Sequence, residues 1–574
     1  MLKVKPYAPI LLVVVGFAIY SNILDAPFVL DDNVYITDNP WVGSLGNLFD
    51  MRDARYVGFV TFALNNYIGG GLFGLHITNV AIHVANSVLL YLLISALLRA
   101  LVAKGFFGPD EKPLVNLDRL ALCIALVFVA HPTQIYAVTY ITQRFTSLAT
   151  LFYLGAIIFY LKSAPDISGN GSNRFRSSLC YVFSLILTVI AMKTKEISFT
   201  LPVVLMGVEF GLLRRESCAK VSVVRIIPFI LTMLIIPLGV IGVGILGGTE
   251  NAVGELMMQQ KLKDIAAVSS YEYLLGQSMV IITYIRMLLI PGSECSACDF
   301  SIGKSFFEPA IFSASVTLLI VIAATVYLFI RSVARRNGYL LLISSGILWF
   351  FLTLSVESSV IPIQDIIVRH RTYLPGVGFI TSAVTAFFLL VSIINRRKRV
   401  NISPFYITLI FVLMISVITH MHNRLWTDAI GLNTYFAELE PCSSSHHISL
   451  AGVYASEGRW KAAHTEYRKA VGIEPDRVLA WSNLAKVSMR LGLFDEAIEE
   501  YEIVLKLEPG NFNAHYSIGL LYLKKGLPDE SDVELAQALR LSPGNEMVLK
   551  LRALLLKVRT GEFDPSGLKI RMSD

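Results

Sequence analysis

Eleven apolar runs separated by short polar links occupy residues 1–425 of this 574-residue chain. They lie at 7–24, 76–98, 119–138, 146–162, 177–192, 197–213, 223–245, 309–331, 338–356, 372–394 and 403–421. A helix needs about 20 apolar residues to cross the hydrocarbon of a bilayer. Only helices and closed barrels satisfy their backbone polar groups there. The runs therefore predict an all-α, polytopic membrane body of about 11 spans set in a lipid bilayer. Charged residues are 16% of the chain, against about 25% in an average soluble domain. That scarcity excludes a cytosolic enzyme, a disordered protein and a secreted disulfide scaffold. The net charge of +6 is no sign of a nucleic-acid partner, because the Lys and Arg clusters sit beside the apolar runs and set topology.

Five links carry the basic clusters that fix the sidedness. Arg99, Lys104, Lys112 and Arg119 flank one, and Lys162, Arg174 and Arg176 the next. Arg214, Arg215 and Lys220 mark a third, Arg331, Arg335 and Arg336 a fourth, and Arg396 to Arg399 a fifth. With these links and the N-terminus cytoplasmic, the alternate segments 25–75, 139–145, 193–196, 246–308, 357–371 and everything after about 421 face the far side. The scheme requires 271–290, which contains Gln277 and Arg286, to be a re-entrant or interfacial helix. The first run follows Lys3 and Lys5 and reads as a retained anchor, since no small-residue cleavage site follows it. Cys295 and Cys298 form a CxxC on the far side, where a disulfide is open to them in an oxidising compartment.

The last part of the chain repeats with a period of 34. Pro475, Pro509 and Pro543 keep that spacing, as do Gly458, Gly492 and Gly526. Leu450, Leu484 and Ile518 follow it, and Ala463 with Tyr467 recurs as Ala497 with Tyr501. The pattern resembles the tetratricopeptide repeat (TPR), two antiparallel helices per unit stacked into an α-solenoid. The domain reading is a membrane domain at 1–425, a linker at 426–445, about three repeats and a capping helix at 446–560, and a tail at 561–574. Such stacks present a groove to a protein or peptide, or serve as a structural cap. Trp481, Asn483, Asn513 and His515 are groove candidates for an acceptor protein.

Ionisable groups at a membrane edge are costly and mark function by default. Asp31 and Asp32 follow the first span in Phe28-Val29-Leu30-Asp31-Asp32-Asn33. Adjacent carboxylates can share a site in which one accepts the proton of a hydroxyl nucleophile, or hold a divalent cation such as Mg or Mn, or simply cap a short helix. Arg144 can clamp a phosphate through its fork. Lys195 and Glu196 lie in a tight link on the side where positive-inside logic disfavours lysine, and Glu357, Asp365, Arg369, His370 and Arg371 crowd the link before the tenth span. His76 and His83 read as structural. Acids at one loop and cations at others, all on one side, suit a lipid-linked phosphate leaving group and a hydroxyl acceptor.

At this point the chain resembles the transmembrane-and-TPR-containing O-mannosyltransferases of the GT-C glycosyltransferase superfamily. The matching stretches, in order, are FVLDDNVYITDNP at 28–40, HITNVAIHVANSVLLYLL at 76–93, HPTQIYAVTYITQR at 131–144, KTKEISFTLP at 193–202 and RHRTYLPGVGF at 369–379. The resemblance implies a GT-C-like membrane domain and inverting transfer from a polyprenyl-phosphate-linked sugar to Ser or Thr hydroxyls of a protein. It places the acidic pair at Asp31 and Asp32, the donor-binding cations at Arg144 and Lys195 with Glu196, and the last motif at His370, Arg371, Tyr373, Leu374 and Pro375 beside Arg369. His370 stands where the family tends to carry an acid. The short links and small array suggest a bacterial inner-membrane protein whose active site and repeats face the periplasm. Two other readings stay open: transfer or ligation of a whole lipid-pyrophosphate-linked oligosaccharide, and a non-enzymatic membrane scaffold built on the repeats.

Overall fold

The computed structural model describes residues 7–30, 32–43, 45–46, 53, 55–107, 115–164, 174–213, 219–238, 269–293, 305–358 and 367–565. Asp31, Cys295, Cys298, Asp365, Lys112, Arg214 and Arg215 lie outside those residues. Among the described residues every regular element is helical. The chain divides into two compact units, 1–295 with 299–428, and 429–574 with 296–298.

In the first unit the main helices are α1 (Tyr7–Ile19), α2 (Tyr56–Ile68), α3 (Gly71–Ala103), α4 (Leu117–Ala130), α5 (Arg144–Lys162), α6 (Arg174–Met192), α7 (Leu201–Val208), α8 (Ala219–Thr232), α9 (Ser270–Leu289), α10 (Pro309–Ala334), α11 (Gly338–Leu354), α12 (Tyr373–Lys398) and α13 (Pro404–Asn423). Each of the eleven apolar runs carries a helix. Among the described residues, seven helices are long and apolar enough to cross a membrane, and an eighth if Leu117–Ala130 and Pro132–Val138 count as one broken span. Tyr7–Ile19, Ser222–Leu238 and Gly338–Leu354 are apolar but shorter, so length alone gives fewer spans than the 11 expected. The segment expected not to cross forms α9, a 20-residue helix outside that set.

Local chemistry sets the ends. The Asn116 side chain accepts from Arg119 N and starts α4. Pro132 then bars α4 from continuing past Ala130: His131 adopts an extended backbone, and the chain bends by 53°. A reciprocal Ser269–Glu272 capping box starts α9. Within the unit, 78% of the apolar window of Ile141–Lys162 is buried but only 17% of that of α10. The segment containing α5 is thus a core element, while α10 presents Leu319, Ile320, Val326 and Ile330 outward, as a lipid-facing helix does.

Helices α11 and α12 meet at glycines. A Cβ on Gly378 would come within 2.6 Å of Trp349 Cδ1, and Gly346 faces Gly378 across the contact. Backbones this close are the usual device for joining helices where no hydrophobic drive exists between them. Trp349 Nε1 donates to Leu374 O at 2.9 Å and Ser382 Oγ to Ile343 O at 2.7 Å, so the start of α12 is fixed against α11. Gly207 has open space around it. Gly378→Val should therefore sharply reduce the yield of monodisperse protein extracted from membranes, whereas Gly207→Val should not. Equal yields from the two would refute the close-approach account.

The second unit holds α14 (Ala429–Leu439), the pairs α15 (Ser444–Ser456) with α16 (Trp460–Ile473), α17 (Val478–Leu491) with α18 (Phe494–Leu507) and α19 (Phe512–Lys524) with α20 (Pro528–Leu541), and the capping α21 (Glu546–Arg559). The 34-residue pattern is the core: Leu450, Leu484, Ile518, Ala463, Ala497, Tyr467 and Tyr501 are all buried. Gly458, Gly492 and Gly526 take φ of 74°, 79° and 77°, the left-handed conformation that lets the first helix of each pair turn into the second. Cys442 is disulfide-bonded to a partner outside the described residues.

Three glutamates also recur at this spacing, Glu466, Glu500 and Glu534. His447 Nδ1 meets Glu466 at 2.7 Å and His515 Nδ1 meets Glu534 at 2.6 Å. In the middle repeat Trp481 replaces the histidine, and Glu500 has no such clasp. Burial raises the Glu500 carboxyl from its usual 4.5 to about 7, with Ser488 and Arg468 opposing the rise and Glu496 and Glu499 adding to it. Between those two values the folded state holds a proton that the unfolded state has lost. Stability is therefore lost as pH rises from 4.5 to 7. With a chelator present, Glu500→Gln should protect α17 and α18 from hydrogen exchange more than wild type does, by a margin small at pH 5 and largest above pH 7. A margin independent of pH would contradict this assignment.

Candidate functional site

The first candidate loop is shaped by an unusual backbone. Leu30 has φ of 52°, a conformation that L residues avoid at a cost of about 1–3 kcal/mol. The turn folds Asp32 back on its own loop: Asp32 N donates to Val29 O at 3.0 Å, and Asp32 Oδ2 accepts from Val29 N at 3.1 Å. Asp32 Oδ1 accepts from Thr142 N at 2.9 Å, and the residue is fully buried. Asp32 thus locks the first loop to the segment that starts α5. Asp31 lies outside the described residues.

Asp32 is the one described member of the acidic pair. Both its oxygens accept backbone N–H groups, and it belongs to no described group of three metal-ligating side chains.

Arg144 is also fully buried. Its Nε donates to Asn79 Oδ1 at 2.6 Å, Nη1 to Asn65 Oδ1 at 2.6 Å and to Thr61 O at 3.2 Å, and Nη2 to Leu75 O at 2.9 Å. Its guanidinium stacks over Phe62 at 4.3 Å. The fork expected to clamp a phosphate instead ties α2, α3 and α5 together. Tyr373 likewise points inward: its hydroxyl donates to His83 Nδ1 at 2.7 Å and accepts from Asn86 Nδ2 at 3.0 Å. His83 Nε2 donates to Val129 O and His76 Nε2 to Ala26 O, structural bonds as the sequence reading expected.

The structure gathers a different set. Arg55, at the start of α2, pairs both nitrogens of its fork with Glu196, at 3.0 and 3.2 Å. Next to Glu196, Lys195 Nζ lies 3.1 Å from Glu357 Oε1 and donates to Thr146 Oγ1 at 2.8 Å. Arg371 Nη1 reaches the Tyr273 hydroxyl at 3.5 Å, and Glu357 acts on its charge. His370 feels the charges of Lys195, Arg371 and Arg55 together. Burial lowers the Lys195 ammonium from its usual range, Arg55 adding to the effect and Glu357 and Glu196 opposing it. Arg369 stacks on Tyr136 at 5.6 Å.

Thus Lys195, Glu196, His370 and Arg371 come together, while Arg144, Arg369 and Tyr373 face other neighbours. The segment 142–146 bridges the two regions, since Thr142 touches Asp32 and Thr146 touches Lys195. A small recess beside Glu196 is lined by Met192, Lys193, Ile235 and Ile236. Sequence reasoning missed Arg55, Tyr273 and Thr146. For Arg55 a signal existed, since it and Arg52 are basic residues in a link assigned to the far side; for the other two there was none.

In the second unit, Trp481 Nε1 donates to Pro475 O at 2.8 Å, and His515 is held by Glu534 and Pro509 O. Both serve the repeat's own packing. Asn513 is exposed and Asn483 half-buried.

Comparison with known proteins fits both units. Tetratricopeptide-repeat models match residues 448–502, 489–526 and 512–545. The chain is 22% identical over 488 residues to a protein O-mannosyl-transferase of Caenorhabditis elegans, covering 81% of this chain and 63% of that protein. It is 21% identical over 510 residues to one of Drosophila melanogaster, covering 81% and 53%, and 26% identical over 206 residues to one of Homo sapiens, covering 32% and 27%. The chain therefore spans less than two thirds of these relatives' own length. It carries TPR repeats at its C-terminal end, and its named homologues are protein O-mannosyl-transferases.

The Lys195–Glu357 pair is buried, with side-chain exposures of 4% and 13%. Removing one partner strands the other charge, at about 3–5 kcal/mol. Glu357→Leu alone should lower the temperature at which the detergent-solubilised protein aggregates. Lys195→Met added to it should restore much of the loss. Additive losses would show that the two charges do not depend on each other.

Proposed function

We propose that this chain is a membrane-embedded glycosyltransferase. It moves a sugar from a polyprenyl-phosphate-linked donor to Ser or Thr hydroxyls of a protein, on the side opposite the Lys/Arg-rich loops. The observation that carries the reading is that buried Lys195 and Arg371, with the partly exposed Arg55 and His370, come from three links and act on one another's charge. Lys195 and Arg55, held by the carboxylates of Glu357 and Glu196, suit a phosphate, which can take over those contacts as it gains charge. Similarity to protein O-mannosyl-transferases over 81% of the chain supports the class of reaction.

In this reading the acceptor oxygen attacks the anomeric carbon from the face opposite the phosphate, inverting it. The carbon–oxygen bond to the phosphate breaks, and its electron pair leaves on the phosphate oxygen. Lys195 and Arg371 meet the growing negative charge, with Arg55 and His370 behind them. The acceptor's proton passes to a carboxylate of the first loop. Asp32, buried and accepting two backbone N–H groups, serves as the positioning residue, and its neighbour Asp31 takes the proton. Arg144 acts through the helices it ties. The TPR stack holds the acceptor protein and raises its effective concentration at the site.

The test is the mass of a co-expressed Ser/Thr-rich acceptor, which also reads the sugar transferred. Asp31→Asn should cut transfer by about 10²–10⁴-fold with normal protein level and monodispersity. Lys195→Met paired with Glu357→Leu should also abolish it while the protein stays folded. A near-normal acceptor mass shift from folded Asp31→Asn protein would remove this residue from the mechanism, and the same result from the double variant would remove the phosphate site.

A further inference from the structure

The break in the repeat pattern at Trp481 leaves more than an unclasped glutamate. In the outer repeats the clasp histidine uses both ring nitrogens. His447 Nε2 donates to Pro441 O at 3.4 Å and His515 Nε2 to Pro509 O at 3.1 Å, while each Nδ1 faces its glutamate. Trp481 has one N–H and spends it on the equivalent Pro475 carbonyl. It keeps the bond that fixes the turn and drops the one that would satisfy Glu500.

Glu500 is only 6% exposed, and its Oε2 has no hydrogen-bond partner. One turn earlier on α18 stands Glu496. From α16, the second helix of the preceding repeat, His464 points to the same place. Its Nε2 is buried without a hydrogen bond and lies 4.0 Å from Glu496 Oε2. Ligand atoms of His464, Glu496 and Glu500 all fall within 4.8 Å of one another. A zinc ion bonded at about 2.0–2.2 Å needs ligands about 3.4 Å apart, a closure that side-chain rotation supplies. Arg468 also pairs with Glu496 Oε2, at 2.5 Å, so a bound ion would share that carboxylate with it.

We propose that His464, Glu496 and Glu500 form a binding site for a first-row divalent transition metal, zinc in the test below, which pins the second helices of the first two repeats together. An imidazole with two carboxylates favours such an ion over magnesium, which takes oxygen ligands. A water completes the four-coordinate shell.

The experiment uses untagged full-length protein in detergent, stripped with a chelator and then dialysed against zinc, with bound metal counted by mass spectrometry. Wild type should hold one zinc more per chain than His464→Gln. Trp481→His, which supplies the residue that the neighbouring repeats already carry, should lose the same equivalent by pairing with Glu500, so that loss does not depend on misfolding. Zinc should also slow hydrogen exchange in α16 and α18 of wild type and of neither variant. Equal zinc contents in wild type and His464→Gln would overturn the site, and displacement of the zinc by millimolar magnesium would overturn the choice of metal class.

Discussion

The buried guanidinium of Arg144 is the interaction on which the architecture around the first loop depends. Its donors reach Asn65 and Thr61 on α2 and Asn79 and Leu75 on α3, and it sits at the first residue of α5. A charge so far from water is tolerable only when nearly every N–H has an acceptor. The asparagines and carbonyls that provide them must therefore stay in register. This fixes where the next residues lie: Thr142 gives its amide to Asp32 and Thr146 gives its hydroxyl to Lys195. The first loop and the cation cluster are held relative to each other through five residues of one chain.

The cluster itself is not built for stability. A buried ion pair such as Lys195–Glu357 roughly breaks even against apolar side chains of the same volume. Arg55, Glu196, His370 and Arg371 add further desolvation beside it. A structure that only needed to hold these links together could do so with leucine and phenylalanine, as it does along α4. Under the proposed function, keeping the charges makes sense, since a phosphate can replace a carboxylate in its contact with a cation. The close Gly346–Gly378 approach serves the same end by holding the start of α12, and with it Arg371, against α11.

Much of the scaffold could be read from the sequence because its physics is local. An apolar run records its helix in consecutive residues, Pro132 ends α4 wherever the rest of the chain goes, and a 34-residue period needs only counting. What side chains face is not local. The sequence could say that Arg144 wants bidentate acceptors but not that Asn79 and Asn65 would supply them, since α2 and α3 are far away along the chain. For the same reason Tyr373 looked like a site residue and is an internal anchor to His83. Arg55 was passed over because nothing near it announces Glu196. Lys195 stood out because the sequence reading put it on the side where lysine is disfavoured, and the structure pairs it with Glu357.

Rule-breaking was legible in the repeats as well, and without any second sequence. In a periodic stack each position has its own controls one period away. His447 and His515 show what the fold does with that position when only packing matters: one nitrogen to the proline carbonyl, one to the glutamate. A random loss at residue 481 would give up both bonds. Trp481 gives up one, and the glutamate it abandons, together with the unbonded His464 nitrogen, is what remains to be satisfied. A buried carboxylate costs more than the single hydrogen bond that a histidine would restore. Its persistence in the middle repeat alone therefore argues for a ligand at Glu500, not for tolerance of a defect.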